Sequence, residues 1–158
     1  MCAEGGADPV PGLFNTGVDD NGDVLAGGSE DPHWELSVSS DAAYPGPQTF
    51  VLHDNVYPIP PWLANGPDSK WIAPKPSQSP GNAAGDYRYR IQFDLGGFEP
   101  STAVVTGRWT SDNKGTDVLL NGVSTGVTSD GNFGGLGNPF TISSGFVDGT
   151  NSLEFVVN

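Results

Sequence analysis

The segment DYRYRIQFDL, residues 86–95, restricts the fold of this chain more than any other stretch of its sequence. Apolar and polar residues alternate along all of it, which is typical of a β-strand with one buried face. The apolar face carries Tyr87, Tyr89, Ile91, Phe93 and Leu95. The polar face carries Arg88, Arg90, Gln92 and Asp94, and its two arginines are expected to pair with acidic residues. The pattern therefore predicts a long, half-buried strand.

Several shorter segments show strand patterns, and turn residues separate them. They are residues 33–39, 49–53, 70–73, 103–111, 116–121, 139–146 and 151–157. In the first of them, Trp34, Leu36 and Val38 are expected to share a buried face. Asn-Gly and Asp-Gly pairs, which supply the positive φ angles of tight hairpin turns, start at residues 21, 65, 121, 130 and 148. About eight strands with this spacing, and no convincing helical period, predict an all-β fold, an antiparallel β-sandwich of the jelly-roll type.

The length of 158 residues is that of one domain with its own hydrophobic core. Residues 1–12 are rich in Gly and Pro and poor in apolar side chains, so they predict a flexible tether. Residues 13–158 are then expected to form a single β-sandwich domain. Within them, residues 54–82 hold seven prolines, too many for regular structure, and predict a long excursion from the sheet.

The charge balance limits the partners of the protein. Nineteen acidic residues against six basic ones give a formal net charge of −13. Nucleic acid and anionic membrane surfaces are not expected as partners, because both are bound by clustered Lys and Arg. An acidic surface suits divalent cations and neutral polysaccharides, and it also has the simpler role of keeping a protein soluble.

The N-terminal sequence bears on the location of the protein. Cys2 is the only cysteine, so no intrachain disulfide can form. A cysteine followed by the small residue Ala3 and a Gly- and Pro-rich stretch is similar to the start of a mature bacterial lipoprotein. This similarity implies a lipid anchor at Cys2 and a secreted or cell-surface location. The alternative is a chance cysteine in a disordered tail.

The second half of the chain resembles the galactose-binding-like jelly-roll superfamily over residues 86–157. The resemblance lies in a strand, an acidic turn and a strand ending in Asn-Gly, followed by a closing pattern of alternate residues. That closing pattern comprises Gly149, Asn151, Leu153, Phe155 and Val157. The resemblance implies a non-catalytic extracellular module that binds carbohydrate through loops at one edge or on its concave face, often with a structural calcium ion. Because the superfamily is functionally broad, fold alone does not give the function.

The stretch DDNGD places side-chain oxygens at Asp19, Asn21 and Asp23. Oxygens at alternate positions of a tight loop are what a hard cation such as calcium needs. An EF-hand is not expected, because Val24 stands where that loop requires glycine. The alternative is a plain turn whose acidic side chains bind the backbone of the turn itself.

The stretch SDNKGTDVLLNG offers a second polar turn, with Asp112 and Asn113 at its start. The resemblance implies that this turn lies near the ligand edge. An amide such as that of Asn113 can both donate to and accept from sugar hydroxyls. The alternative is again a turn that satisfies only its own backbone.

Sugars present apolar C–H faces that stack on exposed aromatic rings. Tyr57, Trp62 and Trp71 lie in the proline-rich excursion, where rings can be exposed to a ligand. For Trp71, next to Ile72, the favoured interpretation is a plug that fixes the excursion to the sandwich. Trp34 and Trp109 fall within strand patterns and are expected in the core.

No catalytic or zinc-binding motif is present in the sequence, and an enzyme is not expected. The sequence therefore predicts a carbohydrate-binding module with a structural calcium ion. The rival from another class is a structural or adhesive module of a bacterial surface protein with no small ligand. A weaker alternative is a small glycan-active hydrolase, which would need two carboxylates facing each other in a cleft.

Overall fold

The computed structural model describes residues 8–158, and this part of the chain is almost entirely β-structure. The strands are β1 Trp34–Val38, β2 Phe50–Val51, β3 Ile72–Ala73, β4 Tyr87–Asp94, β5 Val105–Gly107, β6 Gly115–Leu120, β7 Val123–Ser124, β8 Phe140–Ile142 and β9 Thr150–Val157. One short 3-10 helix spans Pro100–Thr102. The all-β prediction is confirmed, and each predicted strand segment overlaps a strand. Cys2 lies outside the described residues, as does most of the predicted tether.

Five of the strands form one antiparallel sheet in the order β1-β4-β9-β6-β7. At its centre, β4 and β9 pair without interruption from Tyr87 opposite Val157 to Asp94 opposite Thr150. Their alternation places Ile91 and Leu153, which are directly paired, on the buried face. The long strand predicted from the sequence is therefore a central strand of the sheet.

The buried face of this sheet packs against a smaller sheet formed by β5 and β8. The cluster between them contains Trp34, Ile91, Phe93, Leu95, Val105, Val118, Leu120, Ile142 and Leu153. Trp109 is half-buried against the same cluster, with its ring 5.0 Å from that of Phe155. Two sheets enclosing one apolar core make the architecture that of a β-sandwich. The jelly-roll order of the connections stays a prediction.

A second, smaller core holds the proline-rich excursion against the sheet formed by β2 and β3. Leu52, Ile59 and Ala73 are buried in it, and Trp62 and Trp71 pack against it half-buried. The excursion is thus folded back onto the body of the protein. Within residues 8–158, no helix has the length and apolar character needed to cross a membrane.

The predicted position of Val38 on the buried face of β1 is wrong. The register of β1 against β4 shifts between Leu36 and Val38, as in a β-bulge. An extra residue on one strand changes the face to which the following side chains point. Val38 is consequently 40% exposed, whereas Trp34 and Leu36 are buried as expected.

Other parts of the chain pair with β1 at one edge of the five-stranded sheet and with the part of β6 that β7 leaves unpaired at the other side. Beside β1, the backbone N–H of Leu36 donates to Pro47 at 2.7 Å. Beside β6, Thr125 donates to Val118 at 3.0 Å, and Gly115 and Ser129 exchange two backbone hydrogen bonds at 2.9 Å. Backbone groups that are paired in this way are not available to the strands of other chains. The last contact also brings the loop that begins at Ser129 next to the predicted ligand turn.

Candidate ligand-binding edge

The turn between β5 and β6 carries Asp112 and Asn113, and both residues are exposed. The hydroxyl of Ser111 donates to the carbonyl of Asn113 at 2.5 Å and closes the turn. The side chains of Asp112 and Asn113 are free of this contact. Partial burial raises the pKa of the Asp112 carboxyl above its usual value. The turn therefore has the internal backbone contact of a plain turn while it presents a carboxylate and an amide to solvent.

The loop of residues 129–138 lies directly against this turn. The hydroxyl of Thr110 donates to the carbonyl of Asn132 at 2.6 Å, and the N–H of Gly137 donates to the carbonyl of Trp109 at 3.0 Å. A Cβ atom at Gly131 would lie 2.7 Å from the carbonyl oxygen of Asn113. Only glycine permits this approach, because real Cβ atoms do not come so close to backbone.

Arg108 fixes the far end of the same loop. Its guanidinium donates to the carbonyl of Gly137 at 2.9 Å and to that of Leu136 at 3.3 Å. Several donors on one planar group let a single arginine fix two neighbouring carbonyls. The loop is thus attached to the sandwich at both ends.

The middle of the loop reaches the proline-rich excursion. The N–H of Leu63, next to Trp62, donates to the carbonyl of Phe133 at 2.6 Å. The loop therefore connects the predicted polar turn with the predicted aromatic segment. We call the resulting surface the binding edge, and define it by Trp62, Asp112, Asn113, Asn132 and Phe133.

Asn132 and Phe133 are the members of the binding edge that the sequence patterns did not identify. Phe133 is the aromatic one of the two. Its side chain is 39% exposed, and Leu136 in the same loop is 44% exposed. Neither residue belongs to a periodic pattern, so neither was predicted to be part of a strand or of a site. The available signal was the composition of GNFGGLGN, in which two large apolar residues stand alone among glycines.

The two tryptophans of the excursion contact each other, with ring centroids 4.7 Å apart and planes tilted by 47°. The indole N–H of Trp71 donates to the carbonyl of Leu63 at 2.8 Å. Its backbone N–H donates to the side chain of Asn65 at 2.8 Å. These contacts and its half-buried ring agree with the favoured interpretation of Trp71, in which it fixes the excursion to the sandwich. Trp62, a member of the binding edge, is half-buried.

Tyr57 is not a member of the binding edge, although the carbonyl of the next residue, Pro58, accepts from the N–H of Trp62 at 2.8 Å. It is the most exposed aromatic residue within 8–158, at 64%. It lines a small cleft of about 40 Å³ together with residues that include His53, Pro58 and Ser77. A space of this volume holds little more than a water molecule. A sugar at Tyr57 would have to stack on the exposed ring rather than enter the cleft.

The predicted calcium residues form a turn that is closed by its own hydrogen bonds. One carboxylate oxygen of Asp19 accepts from the N–H groups of Asn21 at 2.8 Å and of Asp23 at 3.0 Å. These two bonds hold the pKa of Asp19 below its usual value. Asn21 and Asp23 are exposed. Among residues 8–158, no group of three or more His, Cys, Asp or Glu side chains is arranged to hold a metal ion.

A cleft borders this turn. It has a volume of about 480 Å³ and is wide open to solvent. Its walls come from Leu13, Phe14, Asn15, Val18, Gly22 and Asp68. None of the aromatic residues predicted to bind a sugar lines it.

The arginines of β4 pair with carboxylates, as predicted. The Nε atom of Arg90 lies 2.6 Å from a carboxylate oxygen of Glu35, its partner across the strand pair. A terminal nitrogen of Arg88 lies 3.9 Å from a carboxylate oxygen of Glu154. The polar face of the central strands is therefore occupied by ion pairs rather than by free cations.

Comparison of the chain with protein-family models, with curated proteins and with solved structures gave no match. The galactose-binding-like resemblance of residues 86–157 accordingly stays a prediction.

Proposed function

We propose that this protein is a non-catalytic extracellular module that binds carbohydrate at the binding edge. The observation that carries the proposal is the bridging position of the loop of residues 129–138. It contacts the turn that presents Asp112 and Asn113, and its exposed Phe133 is bonded through the backbone to the residue that follows Trp62. An aromatic ring suits the C–H face of a sugar, and the carboxylate and amide suit its hydroxyls.

The attachment of these groups to the sandwich also supports the proposal. Hydrogen bonds to Trp109, Thr110 and Arg108 hold the loop at both ends. A site held in place before binding loses less conformational entropy when the ligand arrives. The sequence resemblance supports the same function, since it implies carbohydrate binding through loops at one edge. The proposal includes a secreted or cell-surface location with lipid attachment at Cys2.

The rival function is that of a structural or adhesive module whose partner is another protein. The observation in its favour is the pair of exposed apolar side chains, Phe133 and Leu136, in one loop. Exposed apolar groups of this kind also occur at protein–protein interfaces. Binding to glycans is therefore the property to be measured first.

The test is a panel of soluble glycans and insoluble polysaccharides, probed with the wild-type protein and with Phe133→Ala. We expect the variant to lose at least about tenfold in affinity, or about 1.4 kcal/mol, because a stacked ring is removed. The matched control is Phe98→Ala, since Phe98 is also a phenylalanine with 39% exposure but lies outside the binding edge. Equal affinities for the two variants would contradict binding at this edge. Absence of binding across the panel would favour the adhesive module.

Tyr57→Ala distinguishes the binding edge from the other exposed ring. We expect it to bind glycans as the wild type does, because Tyr57 shares its cleft with no residue of the binding edge. A loss of glycan affinity confined to Tyr57→Ala would place the site at the exposed ring of Tyr57 instead.

Calcium at Asp19, Asn21 and Asp23 is a separate part of the proposal. If the ion stabilises this turn, EDTA lowers the Tm of the wild type, because removal of an ion bound only by the folded state destabilises that state. Asp23→Asn, which weakens the ligand set, should reduce the response. An identical Tm of the wild type in EDTA and in excess calcium excludes a stabilising ion.

A further inference from the structure

The three Asn-Gly pairs of this chain, at residues 21, 65 and 121, have different surroundings in the fold. Asparagine followed by glycine is chemically labile. The backbone nitrogen of the glycine can attack the side-chain amide carbon of the asparagine, and no Cβ on the glycine obstructs this approach. Such an attack needs the asparagine side chain and the following peptide to move together, so it depends on how firmly each amide is held.

The amide of Asn65 is bound to distant parts of the chain. Its nitrogen donates to the carbonyl of Leu52 at 3.1 Å and to a carboxylate oxygen of Asp54 at 2.9 Å. Its oxygen accepts from the N–H of Trp71 at 2.8 Å. Movement of this side chain would break three hydrogen bonds next to the second core.

The amide of Asn121 is held in the same way. Its nitrogen donates to the carbonyl of Gly145 at 3.1 Å and to the side-chain oxygen of Asn151 at 2.9 Å. Its oxygen accepts from the N–H of Ser152 in β9 at 2.9 Å. This side chain therefore cannot reorient without disturbing a central strand.

Within residues 8–158, the side chain of Asn21 has no comparable attachment outside its own turn. The residue is exposed, and its amide interacts with the carboxylate of Asp19 in the same turn. The space that a Cβ of Gly22 would occupy is open, with no atom within 4 Å. Attack by the Gly22 nitrogen requires the loss of one backbone bond of this turn, from Gly22 to Asp19 at 2.9 Å.

We infer that Asn21 is a site of spontaneous deamidation, and that the fold protects Asn65 and Asn121 from the same reaction. The Gly22 nitrogen forms a bond to Cγ of Asn21, and the bond from Cγ to Nδ2 breaks. Nδ2 leaves as ammonia with the proton of the Gly22 amide, and a five-membered succinimide remains. Water then opens the ring at either carbonyl and leaves aspartate or isoaspartate. The product adds a carboxylate to a turn that already holds Asp19, Asp20 and Asp23.

The test is to incubate the intact protein in mildly alkaline buffer with EDTA, so that no calcium holds Asn21, and to follow each asparagine by peptide mapping with isoaspartate detection. We expect Asn21 to react at least about tenfold faster than Asn65 or Asn121, because groups held by the native structure react only through rarer opening events. In denaturant the three rates should converge, since the neighbouring residue is glycine in each case. Similar rates in the native protein, or an unreactive Asn21, would overturn the inference. A rate difference that persists in denaturant would overturn the protective role of the fold.

Anion-exchange chromatography gives a second readout. Asn21→Gln should abolish at least about nine-tenths of the acidic form that accumulates, because a glutamine would need a less favourable six-membered ring and because the other two pairs are protected. The matched control is Asn132→Gln, an exposed asparagine that is followed by Phe133 instead of glycine. Undiminished accumulation of the acidic form in Asn21→Gln would assign the reaction to another residue and overturn the inference.

Discussion

At the scale of single residues, a buried asparagine joins the start of β9 to the hairpin turn after β6. Asn151 is 1% exposed, and its nitrogen donates to the carbonyls of Val147 and Gly149 at 2.8 and 2.9 Å. Its oxygen accepts from the N–H of Val147 and from the amide of Asn121, both at 2.9 Å. All the strong donors and acceptors of this side chain are therefore in use, as buried polar groups require.

Replacement of Asn151 by alanine should lower the free energy of unfolding by about 3 kcal/mol, because buried backbone groups lose their partners. Denaturation by urea measures this change. The matched control is Asn132→Ala, since Asn132 is exposed and its side-chain oxygen accepts only from Gly134, in its own turn. That control should change stability by no more than about 0.5 kcal/mol. Similar losses in the two variants would show that the buried network contributes little.

At the scale of elements, the sequence patterns predicted the strands and the antiparallel sandwich, but not the contacts between its loops. β4 and β9 were predictable because their alternation continues along nearly the whole strand. The segment 103–111 keeps a strand-like composition, yet β5 ends at Gly107 because the following residues bind the loop of residues 129–138. Such long-range contacts leave no periodic signal. For the same reason the sequence predicted the polar turn and the aromatic excursion of the binding edge, but not the loop of residues 129–138 that joins them.

The Asn-Gly pairs also show that sequence alone does not fix the backbone conformation. The same dipeptide adopts different φ angles at residues 121–122 and 65–66. At the hairpin between β6 and β7, Asn121 has a φ of 52° and Gly122 a φ of 78°. Positive φ at both central positions is the geometry expected of a tight hairpin turn. Gly66 of the second pair does not have a positive φ. Sequence alone does not distinguish the two pairs, whose difference comes from the hydrogen bonds of Asn65 to the excursion.

Substitution of these glycines by alanine should separate the two cases. Gly122→Ala is expected to destabilise the protein by about 1 kcal/mol, because a side chain disfavours the left-handed conformation. No atom lies within 4 Å of the added Cβ, so the loss would be conformational rather than steric. Gly66→Ala should stay within about 0.5 kcal/mol of the wild type, since its Cβ would lie 3.5 Å from the nearest atom, an ordinary contact. Thermal unfolding measures the stability of both variants. Equal losses of stability would contradict the difference in backbone conformation between Gly122 and Gly66.

At the scale of the whole molecule, the excess of acidic residues acts against the folded state. Lys70, Arg88 and Arg90 each pair with a carboxylate. Most of the nineteen acidic side chains have no cation available, because only six basic residues are present. Like charges held on one compact surface repel each other more than they do in an expanded chain. The sandwich therefore folds in spite of its surface charge, through its two apolar cores.

Salt should consequently stabilise this protein. Between an ionic strength of about 0.01 M and about 0.15 M the screening length falls from about 30 Å to about 8 Å, which removes most of the repulsion between exposed carboxylates. We expect the free energy of unfolding to rise by about 1 kcal/mol and the Tm by about 2–4 °C. Thermal unfolding in sodium chloride measures this change. A Tm that stays constant or falls would mean that the ion pairs of β4 outweigh the repulsion.

A double variant tests whether repulsion is the cause. Asp130 and Asp148 are exposed, and each precedes a glycine of positive φ in a turn. Serine is also favoured in turns, so Asp130→Ser with Asp148→Ser removes two negative charges without creating new Asn-Gly pairs. The variant should melt above the wild type at low ionic strength, and the two should converge as salt is added, because screening and neutralisation remove the same repulsion. A difference that is independent of salt would instead indicate a local effect at the two turns.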